Sequence, residues 1–253
     1  MPSYNATALV LHRHDLGEYD RILTLFTREK GKISAVAKGA RRASSSMSGA
    51  TELFIKARLH LAVARNLDIV TQCEIDSTFV ALRGDLQRLA RATYFCELLD
   101  RLTGDRDDAS SEELFDLTIG ALLLLQRTGD YPDAVVHAYE LQLLGTLGYA
   151  PVVDRCVVCG APLPVKGAGF SPGQGGLVCA ADRSRAGDAS LMSHESVLAL
   201  QSLQTGDPHA ILAIRPSPQT AAEVAKALRW FVRLRSDRPL KSGDFLDQLR
   251  ASE

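Results

Sequence analysis

Residues 21–42 read RILTLFTREKGKISAVAKGARR. Apolar and polar residues alternate on either side of Arg28-Glu29-Lys30-Gly31, and a period of two marks a half-buried strand. The break between the runs is short enough for a hairpin and ends on glycine, which takes a positive φ without steric cost. In the second run Ile33, Ala35 and Ala37 share one face, while Lys30, Lys32 and Lys38 share the other. One face can therefore pack while the other carries charge. Arg28, Arg41 and Arg42 add to it, so that six bases and one acid lie between Arg28 and Arg42 in a chain of formal net charge -1.

Outward from this hairpin the same grammar continues. ATALVLHR precedes it, and ELFIKARLHLAVA and LDIVTQCEI follow, which makes five candidate strands within about 75 residues. Gly39 to Ala50 is aperiodic and rich in Ser and Gly, the composition of a loop between the third and fourth strands. Five short strands predict a small, partly open barrel, with the five-stranded oligonucleotide-binding (OB) fold as the natural candidate and an SH3-like barrel fitting the count almost as well.

Past residue 80 the period becomes helical. Leu82, Leu86, Leu89, Ala90 and Phe95 to Leu99 form an apolar stripe, and Gly104 to Ser110 is a polar break. Helices are expected over Ser111 to Thr128 and Asp133 to Leu147, and from the Ser217-Pro218 start to about Arg235. The expected class is thus α+β: an N-terminal five-stranded barrel over 1–80, a helical domain in two parts, 81–150 and 186–253, and a zinc-ribbon-like insertion over 151–185.

That insertion reads Cys156-Val157-Val158-Cys159-Gly160, then Cys179-Ala180-Ala181-Asp182, with nineteen residues between Cys159 and Cys179. A CxxC turn closed by glycine offers two thiolates on one side of a knuckle, half of what tetrahedral zinc needs. The second knuckle carries aspartate in place of its second cysteine. A site of three thiolates and one carboxylate, Cys156, Cys159, Cys179 and Asp182, is chemically sound, and closed protein coordination predicts a structural zinc. The bland alternative is a hairpin without metal, packed by Phe170, Leu177 and Val178. Cys73 and Cys96 read as buried thiols, and His12 and His14 as solvated or core residues.

With 253 residues and 46% hydrophobic content the chain can bury a core, and no apolar run nears the roughly 20 residues that span a bilayer. The start MPSYNATALVLHRHDLGEYD lacks a basic n-region, so no signal peptide and a cytoplasmic location are expected. Walker A, GxGxxG, HExxH and GxSxG motifs are all absent, so the chain reads as a binding protein and not an enzyme. The six cations fit a groove that neutralises phosphates without reading sequence, predicting a log affinity against log salt slope of about -4 on single strands. Base stacking is expected to be secondary, with Tyr4, Tyr19, Phe26, Phe54 and Phe79 the aromatics at hand. The rival reading is a protein adaptor whose basic barrel docks an acidic partner.

These elements, in this order, resemble one family. GEYDRILTLFTREKGKISAVAKGARR with its serine loop and Glu52-Leu53-Phe54, then CVVCG followed by Phe170, Gly175-Gly176 and Cys179, are similar to the bacterial RecO recombination mediators. The resemblance implies an OB barrel, a helical domain and an inserted zinc ribbon. It implies binding of single- and double-stranded DNA, annealing of complementary strands, and loading of recombinase onto strands coated with single-strand-binding protein. RecR and, in some pathways, RecF would be partners, and a groove on the helical part would receive the tail of single-strand-binding protein. Asp182 departs from the four-cysteine pattern of zinc-bearing members.

Overall fold

Alternation in the first 80 residues resolves into five strands in the computed structural model, which describes residues 2–163, 166–236 and 238–250. They are β1 (Ser3–Leu16), β2 (Asp20–Thr27), β3 (Gly31–Ala37), β4 (Lys56–Ala62) and β5 (Asp68–Ser77). The barrel is closed in the order β1-β2-β3-β5-β4, with β1 pairing to both β2 and β4. Closure comes from a short parallel pairing of β3 with β5, Ala35 to Asp68 and Val36 to Ile69, and this is the OB-like order. Thus the barrel is closed where the sequence suggested a partly open one.

Side-chain parity fills it. Ala6, Ala8 and Val10 of β1, Leu23 and Leu25 of β2, and Ile33, Ala35 and Ala37 of β3 point inward with Ala57, Leu59, Leu61 and Val70. The cross-strand pairs Leu25–Ile33 and Leu23–Ala35 set large against large and large against small, as a narrow tapering interior requires. Gly31 closes the β2–β3 hairpin at φ 62, and a Cβ there would lie 2.0 Å from the backbone oxygen of Asp107.

Among the helices, α1 (Val80–Arg83) and α2 (Leu86–Leu102) follow the barrel, and Asp85 caps α2 by accepting from Gln87 N and Arg88 N. Next come α3 (Ser111–Arg127) and α4 (Asp133–Thr146), both within two residues of the bounds read from sequence. The chain falls into two compact units, one formed by residues up to Gln126 with the segment from Lys241 onward, the other by Arg127–Leu240.

In the first unit α2 packs on β1, and the C-terminal helix found at Lys241–Arg250 packs on α2. The loop Gly104–Ser110 returns to the barrel, where Arg106 N donates to Lys32 O (2.8 Å). It is pinned by Asp68, a fully buried carboxylate that accepts from Tyr4 Oη (2.6 Å) and Arg106 Nη2 (2.9 Å). Burial alone would raise the Asp68 carboxyl, but hydrogen bonds from Tyr4, Arg106 and Ala64 N outweigh it and hold the group below the usual range.

In the second unit α4 is buried along most of its length. A small sheet of β6 (Gly169–Ser171), β7 (Gly176–Val178) and β8 (Ser190–Leu191) runs in the order β7-β6-β8, with α5 (Ala180–Arg183) between β7 and β8. Then follow α6 (His194–Gln204), α7 (Pro208–Ala213) and α8 (Pro218–Arg233). We number the helix at Lys241–Arg250 α9. Ser217 caps α8 as the sequence predicts, accepting from Thr220 N (3.3 Å). Phe170 of β6 meets Phe231 of α8 edge to face at 5.5 Å, which seats the small sheet on the helical core.

Candidate nucleic-acid interface and metal centre

Beyond β3 the chain folds back over the β1–β2 turn. Gly39 takes φ 66, its N–H donates to Asp20 Oδ1 (2.7 Å), and Arg41 N donates to Tyr19 O (2.9 Å). These bonds bring Lys38, Arg41, Arg42 and Tyr19 to one rim of the barrel, all exposed. The Arg42 guanidinium lies 5.1 Å from the Tyr19 ring centroid, a cation over an aromatic face. Arg41 donates to Gly17 O (3.1 Å) and sits 3.4 Å from Asp15.

The other three cations lie elsewhere. Lys30 is at the far end of β3, its Nζ 4.9 Å from the Tyr4 ring centroid. Arg28 pairs with Glu112 and Asp116 on the first turns of α3, and its hydrogen bond holds the Asp116 carboxyl below the usual range. Lys32 points outward from β3 as the alternation predicts, but its side chain is only 12% exposed. Its Nζ donates to Asp100 O (2.6 Å) and Thr103 O (2.8 Å) and pairs with Asp100 and Asp105. Six cations close in sequence therefore do not make one continuous array. The neutralising acid comes from α2, the loop behind it and α3, which no local charge count along 28–42 could register.

A groove of about 680 Å³ in the first unit is lined by the apolar Leu86, Leu89, Ala90 and Phe245, by the cations Arg101 and Lys241 and by the carboxylates Glu97 and Asp100. His12 and His14 form its barrel side. Burial pushes the His12 imidazole down against the pull of Asp100 at 3.7 Å.

In the second unit Gly160, at φ 73, closes the first knuckle: Gly160 N donates to Cys156 O (2.9 Å) and Cys156 N to Ala161 O (2.8 Å). The knuckle hangs on β7 through Val157 N to Leu177 O (2.8 Å), and Val152 runs so close that a Cβ on Gly176 would lie 2.3 Å from Val152 O. Cys179 precedes α5, and Asp182 in its first turn is buried. The ligand atoms of Cys156, Cys159, Cys179 and Asp182 all lie within 4.8 Å of one another, so the four expected ligands do come together.

Their spacing tests the fit. With Zn–S near 2.3 Å, tetrahedral sulfurs sit about 3.8 Å apart. Here Cys159 Sγ lies 3.9 Å from Cys179 Sγ, and Asp182 Oδ2 lies 3.5 Å from Cys156 Sγ and 3.2 Å from Cys179 Sγ. The Asp182 carboxylate pushes the Cys159 thiol up to about 12. At Cys156 burial raises the thiol, but backbone N–H groups of Cys159, Cys179 and Val158 outweigh it and lower the value. Three sulfurs and a carboxylate crowded this way could hold a metal ion, and the donor set suits zinc.

Comparison with known proteins agrees with this anatomy. Residues 1–79 match the family model described as Recombination protein O N terminal, and residues 83–244 match Recombination protein O C terminal. The chain is 37% identical over 254 residues to the DNA repair protein RecO of Symbiobacterium thermophilum, covering 100% of both chains. It is 35% identical over 257 residues to that of Heliobacterium modesticaldum, covering 100% of this chain and 92% of the relative. A shorter match, 42% identical over 185 residues, links it to that of Cutibacterium acnes, with 71% of this chain and 74% of the relative covered. The first model ends two residues beyond β5, so the matched N-terminal part is the barrel itself. With both parts matched in order and nearly end to end, the chain belongs to the RecO family of DNA repair proteins.

Proposed function

We propose that this chain is a non-catalytic recombination mediator that holds single- and double-stranded DNA on its barrel, anneals complementary strands and helps load recombinase onto strands coated with single-strand-binding protein. The observation that carries this is the gathering of Lys38, Arg41, Arg42 and Tyr19 at one rim of a closed OB-like barrel. Cations there exchange counterions for phosphates, and the Tyr19 ring offers a stacking surface indifferent to base identity. Lys30, at the other end of β3 against Tyr4, would be a separate phosphate contact. Arg28 is held by exposed Glu112 and Asp116, whose charges oppose an incoming phosphate, so it would contribute little. Lys32, enclosed by backbone oxygens and two carboxylates, contributes least.

Cys156, Cys159, Cys179 and Asp182 would hold zinc. A bound zinc would tie the knuckle to α5 and stabilise the small sheet, a structural role because all four positions are filled by protein. RecR, single-strand-binding protein and in some settings RecF are the proposed partners, in the cytoplasm at the nucleoid. The groove along α2 and α9, where Leu86, Leu89 and Phe245 lie beside Arg101 and Lys241, is the proposed seat for the tail of single-strand-binding protein.

The test is annealing of complementary oligonucleotides precoated with single-strand-binding protein, across a salt series. Acceleration that fades steeply with salt is expected. No acceleration by folded protein would refute the mediator reading and favour an adaptor whose basic rim docks an acidic protein.

A further inference from the structure

The barrel does not carry the only cationic surface. Val224, Ala227, Leu228, Phe231 and Val232 of α8 are buried and satisfy the packing of that helix. On the opposite side Gln219, Ala222, Lys226, Trp230 and Arg233 follow one another at intervals of three and four residues, and all are exposed. Trp230 is 51% exposed although the core does not need it, and the Arg233 guanidinium lies 5.8 Å from its ring centroid. Arg229, half-buried one turn after Lys226, adds a third cation at the edge of this face, so that three span about 10 Å of helix axis. Glu223, the one acid in α8, is turned to other work: it accepts from Ser193 N (2.7 Å) and Ser196 Oγ (2.7 Å), and these bonds outweigh its burial and keep it ionised.

We propose that this face of α8 is a second binding surface for single-stranded DNA, in which Trp230 stacks on a base while Lys226, Arg229 and Arg233 hold flanking phosphates. The pairing of a half-exposed indole with neighbouring cations favours nucleic acid over an acidic peptide, which would use the charges and leave the ring idle. This rests on the DNA-mediator reading and adds to it a place for a strand in the second unit, apart from the barrel rim. A protein that anneals strands needs to engage two of them.

Trp230 is the only tryptophan in the chain, so its emission reports on this surface and no other. The experiment titrates full-length protein with oligothymidylate while following tryptophan emission and, in parallel, anisotropy of labelled DNA. Saturable quenching is expected that survives in Lys38→Glu/Arg41→Glu/Arg42→Glu and disappears in Lys226→Gln/Arg229→Gln/Arg233→Gln. In the barrel variant, Trp230→Ala is expected to weaken the residual affinity about ten-fold, the effect of one stacked base. DNA binding by anisotropy with no change in emission would overturn the proposal and leave the barrel reading intact, as would quenching that vanishes with the barrel variant. Equal quenching by polyglutamate at matched charge would also overturn it, reassigning the face to an acidic protein. No DNA binding in either channel would sink both readings together.

Discussion

Gly31 shows how much a single position can reveal, and where that stops. Its positive φ is legible from a short break between two alternating runs, whereas the backbone oxygen of Asp107 that occupies the space of a Cβ arrives from a loop no local pattern could place. Gly31→Ala is expected to lower stability by about 2–4 kcal/mol, combining the left-handed backbone penalty with overpacking, read as a shift in the urea midpoint. Asp68 is the converse case: nothing in its neighbourhood in sequence announces a buried carboxylate, because its partners Tyr4 and Arg106 lie far off on either side. Asp68→Asn should cost about 1–3 kcal/mol at neutral pH. Its folded pKa lies below the unfolded value near 3.9, so the contribution is fully present above that value and is lost as pH falls through the folded one. The stability gap between wild type and Asp68→Asn should therefore hold constant from pH 8 to about pH 5 and narrow below about pH 4. A gap that instead widened on acidification would contradict the assignment.

Among the elements, a local start signal made α8 legible, although the comparable signals at Ser193 and Asp207-Pro208 did not single out α6 and α7, whose apolar stripes are short. Ser217-Pro218 marks the beginning of α8, and Ser217→Ala should cost about 1 kcal/mol in a denaturation curve. The helix α9 has its cap elsewhere: Glu97 of α2 accepts from Lys241 N (3.1 Å), Ser242 N (2.8 Å) and the Ser242 hydroxyl. A helix capped by a side chain 144 residues away leaves little trace in a local window. The strand β3 divides in the same manner. Its alternation correctly places Lys32 outward, but the carbonyls at the end of α2 then take up that ammonium, as cations do at helix C-termini. Lys32→Ala is thus expected to destabilise the fold by about 1–3 kcal/mol with little effect on DNA affinity, while Arg42→Ala should do the reverse. Paired thermal melts and binding curves on the two variants check this, and equal loss of affinity in both would refute the division.

For the whole molecule, the barrel, the cluster of Cys156, Cys159, Cys179 and Asp182 and the helical remainder were legible, because each is built from local patterns of alternation, knuckle spacing or helical period. The sequence could not show that the chain leaves one compact unit after Gln126 and returns to it at Lys241, since that is written in packing between distant helices. Nor could it show that acid from three other segments divides the basic run. Cys156, Cys159, Cys179 and Asp182 all belong to the second unit, so with the proposed zinc bound there, a chelator should lower the temperature at which Trp230 emission reports unfolding; a melt indifferent to chelator would argue against a structural zinc. The central claim is that the barrel rim binds DNA by neutralising phosphates, and the salt dependence of single-strand affinity tests it most directly. Comparing wild type with Lys38→Glu/Arg41→Glu/Arg42→Glu, we predict a log–log slope shallower by about 2 in the variant, from three lost phosphate contacts at roughly 0.7 each. An unchanged slope in a folded variant would contradict the account.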